Sequence, residues 1–567
     1  MYIEKVPNRN SPPAILLREA WREAGKIKKR TVANLSHWPA ARVAALQRLL
    51  KDEPLAFAAD AFAVERSVPH GNVRAVLGAL KKLGVDALLA AKRSRRRDLA
   101  VALIAARLLH PGSKLATTRQ WETSTLAEEL GVADADEDEL YAAMDWLLDR
   151  QTAIEPKLAA RHLTEGGFAL YDVTSSYYEG RACPLARFGH NRDGKRDRPI
   201  IVYGLLTDAE GRPVGVDVYP GNTGDPTTVP DQVAKLQERW GLSRVVLVGD
   251  RGMVTETQIE TLREHPGLGW ISALRSGAIR KLVDGGALQL SLFDQRNLAE
   301  IAAPEYPGER LVACFNPLLA DERRRKREDL LAATEKDLAK IAAMVARRTK
   351  SPLKGEEIAM KVGKVINQHK MAKHFHLDFA NGAFAYRRNE PAVAREAELD
   401  GVYVIRTSEP ADRLSAENTV RRYKSLAQVE QAFRCAKGLD LLVRPIFHHE
   451  DRRVRAHIFL CLLAYYVEWH MRRDLAPLLF EDEELESERR TRDPVAKAEP
   501  SASVRRKKRT KRTADGLPVH SFRTLLDALA TQCRNRCRIK SQPDAPTFDQ
   551  LTEPTPLQQR AYDLLGV

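Results

Sequence analysis

Asp172 follows the apolar run Phe168, Ala169, Leu170 and Tyr171, and Asp250 follows Val245, Val246, Leu247, Val248 and Gly249. Runs so short and apolar, bounded by turn residues, read as buried strands, so two strands end in carboxylates. On neighbouring strands about 4.8 Å apart, two such acids can face one cation, whose charge removes their mutual repulsion. A strand-end Asp by itself is more often a turn cap, and the pair alone does not make a site. The third acid, Glu430, lies in Leu414 to Lys437, which reads as one helix. At about 100° per residue Leu426, Val429, Phe433 and Ala436 form an apolar stripe, and Tyr423, Glu430, Arg434 and Lys437 form a second stripe roughly 90° away. Glu430 is thereby expected at the edge of the buried face, leaning over the strand ends. A mere surface pair with Arg434 is worth only a few tenths of a kcal/mol and does not need Tyr423 and Lys437 in line. Three such acids suit hard divalent cations, and two ions roughly 3.5 to 4 Å apart stabilise the attacking and leaving oxygens of an in-line displacement.

The elements that must hold these residues follow from periodicity. Residues 1–40 carry short apolar runs around Gly25 and Lys26 that fit a hairpin, while Leu16 to Ala24 fits a helix equally well. Residues 41–165 read as a helical domain, with Val73, Val76, Leu77 and Leu80 at helical spacing and a second run from Asp98 to Leu109. Lys92, Arg93, Arg95, Arg96 and Arg97 precede that run, as a solvated turn or a DNA-facing patch. Strands are expected at 167–173, 200–206, 214–219 and 244–248, with a hairpin turn at Asp208, Gly211 and Pro213 and a helix over Thr228 to Arg239. This order implies a mixed sheet flanked by helices, an α/β core formed by 166–250 and 401–480.

Between Asp250 and Glu430 lie 179 residues, too many for a loop, so 251–400 is expected to be an insertion domain. It contains a helix from Asp321 to Arg348, about 40 Å long, that opens with Arg323 to Arg327, and a hairpin turning at Asn381 and Gly382. Residues 481–516, an acidic block followed by the basic cluster Arg505 to Arg512, read as a charged disordered linker, and 517–567 as a short C-terminal helical segment.

The formal charge of +15 and pI near 9.4 favour a polyanionic partner, with nucleic acid ahead of a membrane surface. No run approaches the roughly 20 apolar residues of a membrane span and the N-terminus has no signal core, so a cytoplasmic, nucleoid-associated protein is expected. Six cysteines in 567 residues make no disulfide framework, and Cys533 and Cys537 read as free thiols rather than zinc ligands.

The segments YDVTSSYYEG, VGDRGM and YKSLAQVEQAFRCAK resemble the three catalytic motifs of DDE transposases of bacterial insertion sequences, in the superfamily with the Tyr-Arg-Glu-Lys signature, insertion-sequence-four-like. The resemblance covers most of residues 1–480. It implies a ribonuclease H-like mixed-sheet catalytic core with a large insertion, preceded by a mainly helical, DNA-binding N-terminal domain. Asp172, Asp250 and Glu430 would be catalytic and would bind two Mg²⁺ ions, or Mn²⁺ in their place. Tyr423 and Lys437 would hold the DNA backbone, with Arg434, Arg422 and Arg251 as further DNA contacts. The implied partners are double-stranded DNA, as insertion-sequence ends and as target, and a second copy of the chain in a homodimer on DNA. The implied activity is metal-dependent cleavage of the ends and joining of the 3′-hydroxyl to target DNA. One departure stands out: Leu426 occupies the signature's Arg position. Two rival readings remain, a DNA-binding regulator that no longer cuts and a ribonuclease H-like nuclease.

Overall fold

The computed structural model describes residues 1–9, 11–53, 62–484, 487–488, 492–496, 499–540 and 546–567. Two units emerge, one from 1–71 with 530–554 and the other from 72–529 with 555–567. In the first unit, strands β1 (Tyr2–Val6), β2 (Ala14–Glu23) and β3 (Lys26–Asn34) form an antiparallel sheet, which settles the early choice between hairpin and helix. Ala24 and Gly25 turn the hairpin with φ of 48° and 79°, a left-handed pair that glycine makes cheap. A second sheet joins β4 (Phe62–Pro69) to Cys533–Ile539 and Phe548–Leu551. The 41–165 stretch is therefore not helical throughout, and the C-terminal segment is not purely helical. Strand pairing between residues more than 450 apart leaves no local periodic signature.

The second unit is built on an eight-stranded mixed sheet. Its strands are β5 (Phe168–Tyr177), β6 (Ile200–Asp208), β7 (Pro213–Pro220), β8 (Val245–Gly249), β9 (Leu268–Ala273), β10 (Leu298–Ile301), β11 (Arg310–Phe315) and, after the hairpin strands β12 (Phe375–Ala380) and β13 (Ala383–Arg388), β14 (Val402–Thr407). The order across the sheet is β10, β11, β14, β9, β8, β5, β6, β7. β5, β8 and β9 run parallel, and β6 and β7 continue antiparallel. The β6–β7 turn is held as expected, because the Asp208 carboxylate accepts from the Glu210 and Arg212 amides.

Against this sheet and the neighbouring helices packs the helix Asp451–Asp474, buried from Ala456 to Glu468. Its apolar run is that of a core helix, since burial on all sides needs no polar face. Helices Arg95–Leu109 and Glu137–Asp149 lie against it. Among the described residues no single helix is long and apolar enough to cross a membrane.

Two expectations are corrected here. The 251–400 stretch is not one separate domain, because β9, β10 and β11 extend the central sheet; the helices Pro317–Arg347 and Gly355–His369 with the β12–β13 hairpin form their own apolar core, and Leu274, Ile279, Leu282 and Leu311 pack with Val402 and Val404 of β14 in another. In 481–516, residues Ala502–Thr510 form a helix, and Lys507 in that basic run is 1% exposed, donating to the carbonyls of Ala476, Leu479 and Glu481. Three main-chain acceptors and the Glu483 carboxylate at 2.6 Å explain how a charge run folds. Residues 485, 486, 489–491, 497 and 498 of the expected linker lie outside the described residues.

Candidate active site

Asp172 stands in the middle of β5, not at its end. The strand continues through Val173 to Tyr177 because β6 pairs with all of it, and its polar residues find partners: the Ser176 and Tyr203 hydroxyls share a 2.9 Å hydrogen bond, and Ser175 Oγ donates to His190 O. Asp250 directly follows β8. The parallel register sets Tyr171 beside Gly249, so the next residues on the two strands are the two acids.

Strand alternation decides which way Asp172 faces. Tyr171 turns to one side, where its hydroxyl reaches Thr228 at 2.9 Å and its ring crosses Gly204, leaving no room for a Cβ there. Asp172 therefore turns to the other side, shared with its cross-strand partner Leu205 and with Tyr203. Phe433 packs edge-on to Tyr203 there, and Phe433 and Ala432 line a cavity of about 30 Å³ with Leu205. The helix Ala427–Lys437, which carries Glu430, thus covers the face that Asp172 points from.

The expected single helix over 414–437 is two helices, Ala416–Lys424 and Ala427–Lys437, parted at Ser425 and Leu426. The Ser425 hydroxyl bonds back to Arg422 O at 2.5 Å, and Leu426 is 9% exposed in the apolar core. Both halves still reach the acids: Tyr423 Oη donates to Asp250 Oδ1 at 3.3 Å, and Glu430 lines a cleft of about 510 Å³ with Asp172 and Asp250. Burial first, then the charges of Asp250 and Glu430, push the Asp172 carboxyl up to about 7, against the hydrogen bond it accepts from Val173 N. Burial, and then the Asp250 charge, likewise push the Tyr423 phenol above its usual range. Among the described residues, three ligand atoms within 4.8 Å of one another occur at Cys435, Asp440 and Glu468.

The other candidates divide. Arg434 lines the same cleft. Arg251 lines a neighbouring depression of about 360 Å³ on the far side of Asp250, with Arg275 and Ser276. Arg422 lies 4.4 Å over the Phe168 ring, half-buried, and is not among the residues lining the cleft. Lys437 lines the cleft but is engaged by protein, donating to Ser175 O at 2.5 Å and to Asp193 Oδ1 at 3.1 Å. His448 and His457 lie with ring centres 5.2 Å apart and their planes tilted, and burial pushes His448 down to about 3.

Periodicity missed Asp193 and Arg444. Asp193, with its side chain 2% exposed, receives Lys437, the Arg444 guanidinium and the Tyr177 N–H. Both residues sit in irregular segments, which carry no periodic signal. In the 92–97 run, Arg93 pairs with Asp98, Arg95 with Asp134 and Glu139, and Arg97 donates to Ala90 O, the pattern of a solvated turn.

Comparison with known proteins gives two family matches. Residues 172–467 match the model of the transposase DDE domain, and residues 3–61 match the N-terminal domain of the IS1634 family transposases. Curated proteins yield no match. Among solved structures, a cryo-EM structure of the piggyBac transposase synaptic complex with hairpin DNA is similar at 11% identity and a TM-score of 0.32, over 70% of this chain and 74% of that one.

Proposed function

The chain belongs to the family of DDE-domain transposases of insertion sequences, enzymes that bind, cut and join DNA with divalent metal ions, and from that premise we propose that Asp172, Asp250 and Glu430 are its catalytic, metal-binding residues. The observation that carries the reading is their convergence in one cleft from two adjacent parallel strands and a covering helix. The strand order β7, β6, β5, β8, β9, antiparallel then parallel, supports a ribonuclease H-like core.

The donor set fits divalent cations. It consists of carboxylate oxygens, and burial, with the charges of Asp250 and Glu430 added to it, pushes Asp172 up to about 7, a cost that a bound cation removes. Such donors suit the pair of Mg²⁺ ions implied by the motifs, for which Mn²⁺ can stand in. When bound, such ions supply Lewis-acid stabilisation of the attacking and leaving oxygens at phosphorus.

The chain's own residues do the rest. Tyr423 fixes Asp250 through its hydroxyl, and Arg434, exposed and donating within its own helix to Gln431 Oε1 at 3.5 Å, presents a guanidinium to a DNA phosphate entering the cleft. Arg251 extends that contact beyond Asp250. Lys437, tied to Asp193, holds the Arg187 to Arg198 loop against the cleft and turns its remaining charge toward the phosphate. The substrate is an insertion-sequence end: water opens the strand, and the freed 3′-hydroxyl joins target DNA. Two ends must be held together, which calls for a homodimer on DNA.

The test is incubation of the purified protein and Asp172→Asn with DNA bearing the element's own ends and Mg²⁺. End-specific, Mg²⁺-dependent cleavage lost in the variant supports the proposal. Binding without cutting points to a silent regulator, and cutting regardless of end sequence points to a nuclease.

A further inference from the structure

Behind the Glu430 helix lies a second cluster. Cys435 belongs to the same helix, Asp440 follows its end, and Glu468 stands on the core helix Asp451–Asp474. Their ligand atoms lie within 4.8 Å of one another. A point equidistant from three atoms so spaced lies at most about 2.8 Å from each, against about 2.3 Å for zinc–sulfur and about 2.0 to 2.2 Å for zinc–carboxylate bonds, a contraction that side-chain rotation supplies.

Two observations point to a missing cation. Glu468 is 0% exposed, and although its Oε1 accepts from Arg472 Nε at 2.6 Å, its Oε2 is buried with no hydrogen-bond partner among the described residues. A buried carboxylate oxygen left so is costly. The charges also fail to balance. Arg472 is shared by Glu468, Asp440 and Glu481, three acids to one guanidinium, while nearby Lys507 pairs with Glu483 instead. A divalent ion offsets the two remaining negative charges, and the Cys435 thiolate formed on binding leaves the cluster with one net negative charge.

We propose that Cys435, Asp440 and Glu468 form a structural site for a borderline divalent cation, Zn²⁺ in type, distinct from the carboxylate cleft. Thiolate with carboxylate oxygens is a donor set zinc accepts and Mg²⁺ does not. Binding displaces the Cys435 thiol proton to solvent, so the site tightens as pH rises. Burial keeps that thiol protonated and pushes it up to about 12, and pushes Glu468 up to about 7, in the cation's absence. The bound ion pins the last turn of the Glu430 helix to the core helix and so sets Glu430 and Lys437 on the opposite side.

The full-length protein, stripped with chelator, is titrated with Co²⁺ alone. The expected result is a thiolate-to-cobalt charge-transfer band saturating at about one equivalent and reversed by Zn²⁺. The all-oxygen cleft cannot give that band, so Asp172→Asn retains it and Cys435→Ser loses it. Should Cys435→Ser fail to fold, Asp440→Asn at the partly exposed rim serves instead, and is expected to weaken Co²⁺ binding at least tenfold. No band in the wild type, or a band that survives in Cys435→Ser, overturns the proposal.

Discussion

Glu155 and Asp217 lie at the β7 edge of the central sheet and Asp172 and Asp250 at its middle; burial raises the carboxyls of both Glu155 and Asp172, but the edge pair is met by a lysine. At the edge, Lys235, 2% exposed, sits 3.0 Å from Glu155 and 2.7 Å from Asp217. Gln151 and the Val216 amide donate to Glu155, and Gln232 donates to Asp217. Burial presses the Lys235 ammonium toward neutrality, but the two carboxylates outweigh it and hold it above its usual range. In the middle of the sheet no cation among the described residues forms an ion pair with Asp172, whose carboxyl burial and its acidic neighbours raise against the opposing charge of Arg192. An acid cluster that the protein neutralises is structural; one left unneutralised, at a cost in stability, marks a place for an outside cation.

Four changes break or sharpen that contrast. The largest effect is expected from Asp172→Asn, which should lower cleavage of end-bearing DNA by on the order of a thousandfold or more; Lys235→Met, measured alongside, should leave cleavage by the folded protein within about threefold. Stability should invert that ranking, because Lys235→Met strands the buried Glu155 and the partly buried Asp217 and costs about 3 to 5 kcal/mol in denaturant titration. Asp172→Asn should raise the melting temperature of the metal-free protein.

The third change is in pH. The folded-state value of Asp172, about 7, lies above the usual 3.8, so its protonated form favours the fold. That stabilisation is fully present below about 3.8 and lost as pH rises through about 7, an upper bound of about 4 kcal/mol. Melting temperature in chelator should fall across this window, and saturating Mg²⁺ should flatten the fall; a flat profile without metal would show that the acids are compensated after all. The smallest effect is expected from Tyr423→Phe, which removes one hydrogen bond to Asp250, worth about 1 kcal/mol and roughly fivefold in cleavage.

The strands that carry Asp172 and Asp250 were legible because buried strands concentrate apolar residues in short runs. The continuation of β5 beyond Asp172 was not, since Thr174, Ser175 and Ser176 look exposed until their partners on β6 and in the 187–198 loop are known. The break at Ser425 and Leu426 was hidden for a related reason. Both residues fit a helical pattern, and only the packing of Leu426 into the core shows why the signature's Arg position holds an apolar side chain in this chain. Asp193 was invisible because its importance lies in two cations that come from residues 244 and 251 positions away.

By itself, then, the sequence determined the acids, their order, the family motifs and the alternation of elements between them, because strand and helix periodicities and motif spacing are local properties of the chain. Tertiary structure decided the rest: that Asp172 and Asp250 are neighbours in parallel register, that Glu430 enters from a separate short helix, that the expected insertion largely extends the sheet, and that a helix forms within the expected linker. Each of these rests on pairings between distant residues. Long-range hydrogen bonds and the balance of buried charge are set by what the chain brings together, not by what stands next to what along it.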